Sequence, residues 1–270
     1  MTTLIAWSAY DQNGFAALHV ASDSRISWGS ARHRWDAGRK VFASSSTPDI
    51  WAYSGDVLFP ALVLSQIVAS ADAGILFEEN QTPLHRHAVA LRSMQSSFTR
   101  RHSAPDHDFT IIHASRTGEK RAAEPVIWAI SFNAQSREWT DSLLKTSGRT
   151  EVIFSGGSGN TSLKKELLKW RASDIGGTSR SIYSAFCKSI ASGSDPLSGG
   201  APQLASLYPA GAAKTVGVIH NRMLYLHGLP LEATEKSNRI EWFDNLFQRT
   251  DPATLTLADG AARHAAPKLI

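Results

Sequence analysis

Thr2 stands directly behind Met1, and N-terminal processing is expected to remove that methionine. Its loss would leave a hydroxyl and a free α-amino group on one residue. A hydroxyl is a weak nucleophile near neutral pH unless a base takes its proton as it attacks. An N-terminal amine titrates at about 7.7–8.0, so a useful fraction is neutral and basic under ordinary conditions. The pair is a self-contained nucleophile and base, an arrangement suited to opening amide bonds. Met-Thr-Thr alone says little. The rest of the chain has to supply a charge for the alkoxide, a donor for the oxyanion and acceptors for the amine.

Five further stretches carry residues of those types. Val20-Ala21-Ser22-Asp23-Ser24-Arg25 ends an apolar run and is followed by Gly29. Arg39-Lys40-Val41-Phe42 begins the next run, and Tyr53-Ser54-Gly55-Asp56 closes the one after it. Much later come Ser155-Gly156-Gly157-Ser158-Gly159 and Asp195-Pro196-Leu197-Ser198-Gly199-Gly200. In this order and spacing the set resembles the proteasome β-subunit family, including the HslV-type bacterial peptidase. The resemblance spans most of residues 2–227. It implies an α+β fold, a four-layer αββα sandwich of two antiparallel sheets. It also implies a threonine peptidase acting on peptides or proteins and assembled as a homo-oligomeric ring or related array. An ATP-driven unfoldase partner fits the same resemblance.

Each residue has a physical role in such a reaction. Lys40, kept protonated by Asp23, would set positive charge beside the Thr2 hydroxyl, favouring the alkoxide and holding the amine toward its neutral form. Buried separately, either charge would be unfavourable. The Gly55 N–H, in a strand-to-helix turn with no side chain to obstruct approach, is the candidate oxyanion donor. The resemblance places Ser158, Asp195 and Ser198 around the N-terminal amine, where a carboxylate and two hydroxyls are suitable acceptors. It points to Gly38 and Tyr53 as lining the first specificity pocket, with the aromatic ring making that pocket shallow. This chemistry requires no cofactor and no metal.

The match departs from the family pattern at three points. The Thr2–Asp23 interval is a few residues longer, which Asp11-Gln12-Asn13-Gly14 explains as an Asn-Gly hairpin turn. Asp56 replaces the second glycine after the Gly55 position, and residues 231–270 have no counterpart, so 1–230 reads as the domain and the remainder as an extension.

Plainer roles compete for each residue: a turn for Asp23, a solvated strand start for Lys40, a helix cap for Ser158, an ordinary loop for Ser198-Gly199-Gly200. Two other functions compete for the whole. A serine hydrolase would use Ser158 at a strand–turn–helix elbow, with Asp195 and His220 or His227 following, although Asn160 stands where that elbow needs glycine. A non-catalytic ring subunit would keep the fold without the chemistry. Residues 84–102 are rich in arginine and histidine without an acidic residue, but only Phe98 offers stacking, so a solvated helix face explains them better than nucleic acid. No histidine spacing suggests a metal site.

Composition agrees with an ordinary globular chain. Its 270 residues are 42% hydrophobic with a formal charge of +4. Cys187 is the single cysteine, which excludes an internal disulfide framework and fits a reducing, cytoplasmic setting. No secretion signal or membrane span is read.

The elements follow from periodicity. Residues 3–10 and 14–22 predict a hairpin, and 41–43 with 50–53 another about Thr47-Pro48-Asp49. A helix is expected over 57–73, with Leu58, Ala61, Leu62, Ser65 and Val68 on its apolar stripe. A second begins at Thr82-Pro83 and runs to about Arg101. Strands at 109–114, 125–132, 139–144 and 152–154 precede helices at 160–172 and 179–192. A last hairpin, 216–220 with 223–227, turns on Asn221-Arg222. Within the extension, Ile240 to Phe247 is the one amphipathic stretch, expected to pack on the domain or a neighbour. Strands and helices in segregated blocks imply antiparallel sheets with helix pairs outside them.

Overall fold

The computed structural model describes residues 2–262; Met1 and 263–270, and with them the expected Met1 removal and the end of the extension, lie outside the described residues. Among the described residues the fold is mixed α+β, with antiparallel sheets and four α-helices. β1 (Leu4–Asp11) and β2 (Gly14–Ser22) form the predicted hairpin, pairing Leu4 with Ser22. β3 (Ile26–Trp28) and β4 (Ser30–Trp35) form a separate two-stranded hairpin that periodicity does not show. β5 (Val41–Ala43) and β6 (Asp49–Gly55) follow, then α1 (Leu58–Asp72) and α2 (Pro83–Phe98). β7 (Phe109–Thr117), β8 (Glu124–Asn133) and β9 (Glu138–Leu144) complete a five-stranded sheet in the order β5-β6-β7-β8-β9.

The larger sheet takes β10 (Glu151–Gly156), then, after α3 (Asn160–Arg171) and α4 (Ser179–Ala191), β11 (Gln203–Leu207), β12 (Lys214–His220), β13 (Met223–Leu226) and β14 (Leu229–Leu231). Its order is β10-β1-β2-β11-β12-β13-β14, and β15 (Trp242–Asp244) joins β12 in parallel. Through β15 the extension is thus joined to this sheet. The Trp242 ring lies where a side chain on Gly217 would have to be.

Successive strand residues point to opposite faces, and the burial follows that period of two. Leu4, Ala6, Leu18 and Val20 meet Val41, Ala43, Ile50, Ala52 and Ile112 in one cluster drawn from both sheets. The alternate residues Ile5, Trp7 and Ala21 pack against Leu163 of α3 and Tyr183 and Phe186 of α4. On the other sheet, Phe42, Trp51 and Tyr53 pack against α1 and α2.

Three details correct the sequence expectations. The buried stripe of α1 is Phe59, Val63, Leu64, Ile67, Val68 and Ala71, while Leu58 and Leu62 are more than half exposed. The helix is apolar on two stripes, and the one carrying the phenylalanine removes more apolar surface from water. α2 ends at Phe98 rather than near Arg101. Its Arg86 and His87 are buried rather than solvated, drawn inward by Asp49, whose carboxylate accepts from Arg86 at 2.7 Å and pairs with His113 at 3.0 Å. His87 in turn bonds His113 at 3.0 Å.

Candidate active site

Two hairpins from different sheets bring the chemistry together. Asp23 follows β2 and Lys40 precedes β5, while Thr2 precedes β1. All three are fully buried. The Lys40 Nζ donates to Asp23 Oδ1 at 2.9 Å and to Thr2 Oγ1 at 3.1 Å. Burial pushes the Lys40 ammonium below its ordinary pKa, against the opposing pull of Asp23. Asp23 is saturated by backbone donors: Thr3 N–H at 3.0 Å, Gly199 N–H at 2.8 Å and Arg25 N–H at 3.2 Å. Those donors fix its carboxylate and offset part of its desolvation.

The nitrogen of Thr2 is held by a second set of residues. It donates to Ser158 Oγ at 3.2 Å, and Ser158 Oγ donates to Asp195 Oδ2 at 2.7 Å. Ser198 Oγ donates to the same carboxylate oxygen at 2.7 Å and accepts from Thr3 Oγ1 at 2.9 Å. Burial would raise the Asp195 carboxyl, but the Ser198 and Ser158 hydroxyls outweigh it and hold the group below the usual carboxylate range. The loop between β10 and α3 makes this approach close. Gly157 has φ of +88°, and a side chain there would meet the Thr2 carbonyl carbon at 2.7 Å. Only glycine fits both demands.

Gly55 ends β6, in the expected strand-to-helix turn. Its φ is +97°, and a side chain there would meet the Phe109 Cα at 2.8 Å. Tyr53 N–H donates to Lys40 O at 3.3 Å, so the register sets Gly55 at the Lys40 end of its sheet. Asp56, the residue in place of a second glycine, accepts from Phe59 N–H at 3.3 Å in the first turn of α1. Gly38 donates its N–H to Ser24 O at 2.9 Å. The Tyr53 ring packs into the helix-side cluster, and its hydroxyl donates to Arg39 O at 3.2 Å.

Compared with known proteins, the chain matches no family model and no curated sequence.

The geometry therefore stands by itself. It unites Thr2, Asp23 and Lys40 in one hydrogen-bonded line and Ser158, Asp195 and Ser198 in a second, the two meeting at Thr2 and Thr3. Among the described residues, no hydrogen bond joins Ser158 to a histidine; His220 is bonded to Asn245 instead. Nor does any described group of histidine, cysteine and acidic side chains have the makings of a metal site. A cavity of about 960 Å³ between β10, α3 and α4, floored by Leu167 and Ile182, contains none of these residues.

Sequence reasoning missed three supporting parts. Thr3 links the two lines, its N–H donating to Asp23 and its hydroxyl to Ser198. Arg25 grips Asp36 through two bonds of 2.7 and 2.8 Å and donates to Pro196 O and Ser198 O, tying the Asp23 turn to the Asp195 loop. Gln203, buried at the start of β11, bonds the main chain on both sides of the Asp23–Lys40 pair. A glutamine heading the apolar run Leu204-Ala205-Ser206-Leu207 was the available signal, but that run is too short to declare itself a strand.

Proposed function

We propose that this chain is a threonine-type amide hydrolase, a peptidase of the proteasome-like kind, with Thr2 as an N-terminal nucleophile and a four-layer αββα fold of the N-terminal-nucleophile hydrolase type. The observation that carries it is the buried line from Asp23 through the Lys40 ammonium to Thr2 Oγ1, at 2.9 and 3.1 Å. An ammonium donating to a hydroxyl oxygen lowers the free energy of that oxygen as an alkoxide. The serine-hydrolase alternative lacks comparable support, because Ser158 donates to a carboxylate and, among the described residues, is hydrogen-bonded to no imidazole.

In the proposed reaction the Thr2 hydroxyl oxygen attacks the scissile carbonyl carbon while its proton passes to the Thr2 α-amine, directly or through water. The Gly55 N–H faces the developing oxyanion. Collapse expels the amine product, which takes that proton, and leaves an ester on Thr2. Water, deprotonated by the same amine, hydrolyses the ester and regenerates the hydroxyl. Ser158, backed by Asp195, orients the amine; Ser198 holds Asp195 and is itself held by Thr3. Thr2 has no exposed surface. The reading therefore requires removal of the residue ahead of it, freeing the amine and opening the hydroxyl together. Assembly into a homo-oligomer belongs to the same reading.

The test combines intact mass with peptide cleavage. Native protein should lack Met1. Thr2→Ala should abolish cleavage of a fluorogenic peptide, while folded Ser158→Ala retains part of it. Retained methionine in an active enzyme, or the reverse ranking of the two variants, would overturn the assignment.

A further inference from the structure

Gln203 makes four hydrogen bonds from one fully enclosed amide. Its Oε1 accepts from Lys40 N–H at 2.9 Å and Val41 N–H at 3.4 Å. Its Nε2 donates to Gly38 O at 2.7 Å and Asp23 O at 3.2 Å. Two acceptor lone pairs and two donor hydrogens are the whole capacity of a glutamine side chain. The orientation is forced, since a flipped amide would set its hydrogens against two N–H groups and its oxygen against two carbonyls. The residue is 2% exposed and stands opposite Ser22 in the pairing of β11 with β2. It therefore sits where the two sheets deliver Asp23 and Lys40 to each other.

We propose that Gln203 is a positioning residue for this reaction: its amide clamps the Asp23, Gly38 and Lys40 main chains so that the Lys40 ammonium reaches Thr2 Oγ1. The inference rests on the threonine-hydrolase reading above. The four hydrogen bonds of Gln203 all go to main-chain atoms, and its effect runs through the backbone that carries Lys40. Lys40 has four methylenes between that backbone and its ammonium, so the side chain alone does not fix where the charge lies. A displacement of about 1 Å in a catalytic group is enough for a hundredfold loss of rate.

Three variants test it. Gln203→Met keeps the length and removes every bond. Gln203→Asn keeps the amide and shortens its reach. Gln203→Glu is informative through pH: ionised, it opposes the Gly38 and Asp23 carbonyls, whereas protonated it recovers a donor and an acceptor. The expected result is a fall in kcat of about a hundredfold with KM within threefold of wild type. For Gln203→Glu, kcat relative to wild type should rise as pH is lowered, the reverse of a general loss of fold. Wild-type kcat and pH profile in folded variants would overturn the proposal, as would equal damage to kcat and KM. If none of the three folds, the role is structural and the assignment falls. Thr2→Ala in parallel separates the two failures: an active Thr2→Ala protein removes the underlying reading, whereas an inactive one beside a normal Gln203→Glu removes only the clamp.

Discussion

Asp23 and Lys40 are each enclosed without solvent contact, and each is the other's counter-charge at 2.9 Å. Removing one partner strands the other's charge in the interior, which typically costs about 3–5 kcal/mol, while replacing both is much milder. Asp23→Asn and Lys40→Met should each lower stability in urea unfolding, and the double variant should lie well above the sum of the singles. Activity should not recover in the double variant. Lys40→Met removes the charge beside Thr2 Oγ1, and loss of one such electrostatic contact lowers kcat about 10²–10³-fold. Additive stability losses, or an active Lys40→Met enzyme, would show that the pair is only a strut. At this scale the sequence was informative through the set: Asp23 and Lys40 each have a plain alternative, but in order behind Thr2 they point to one chemistry. Gln203, Thr3 and Asp36 were illegible for the opposite reason. Their bonds reach the main chain or motif residues from distant stretches, and no local pattern records that.

At the level of elements, hairpins and helices with strong periodicity were readable, and short or exposed pieces were not. The Asn-Gly turn between β1 and β2 and the Thr82 cap of α2 are local rules acting alone, and both are found where expected. β3 and β4 carry exposed Trp28, Trp35 and charged residues, so no alternation marks them. β15 is three residues long and exists through its pairing with β12 and the fit of Trp242 over Gly217. That fit fastens the extension to the larger sheet at β15, and Trp242→Ala should cost about 3–5 kcal/mol. Limited proteolysis should then cut first between β14 and β15. A variant as resistant as wild type would mean the segment packs weakly. The orientation of α1 was misread because its sequence is apolar on two stripes and only the tertiary partner chooses between them. α2 is anchored differently, by the Arg86–Asp49 ion pair at 2.7 Å with His113 alongside. Local sequence shows an arginine on a polar helix. The carboxylate that turns it inward lies 37 residues earlier.

For the molecule as a whole, buried and half-buried histidines set the response to acid. Burial depresses His19 to about 3, His87 to about 4 and His227 to about 4, and lowers His113 as well. In the unfolded chain a histidine protonates near 6.5, roughly the model-peptide value. Below that pH the unfolded state binds protons that the folded state refuses, so stability falls as pH drops from 6.5 toward the folded pKa values near 4 and 3. Well inside that window a single fully buried ring such as His19 contributes a slope of about 1.4 kcal/mol per pH unit. Asp49 adds nothing there. Burial alone would raise its carboxyl, but His113 and Arg86 hold it far below the ordinary value, and its own loss begins only under about pH 4. Thermal unfolding midpoints should accordingly decline steadily from pH 6.5 to 4. His19 stacks on Trp7 at 4.9 Å and bonds Ser206 at 2.8 Å, so His19→Asn should be less stable at pH 7.5 yet show a shallower decline. A wild-type midpoint that holds level to pH 4.5, or a His19→Asn slope equal to wild type, would show that these rings accept protons without unfolding the chain.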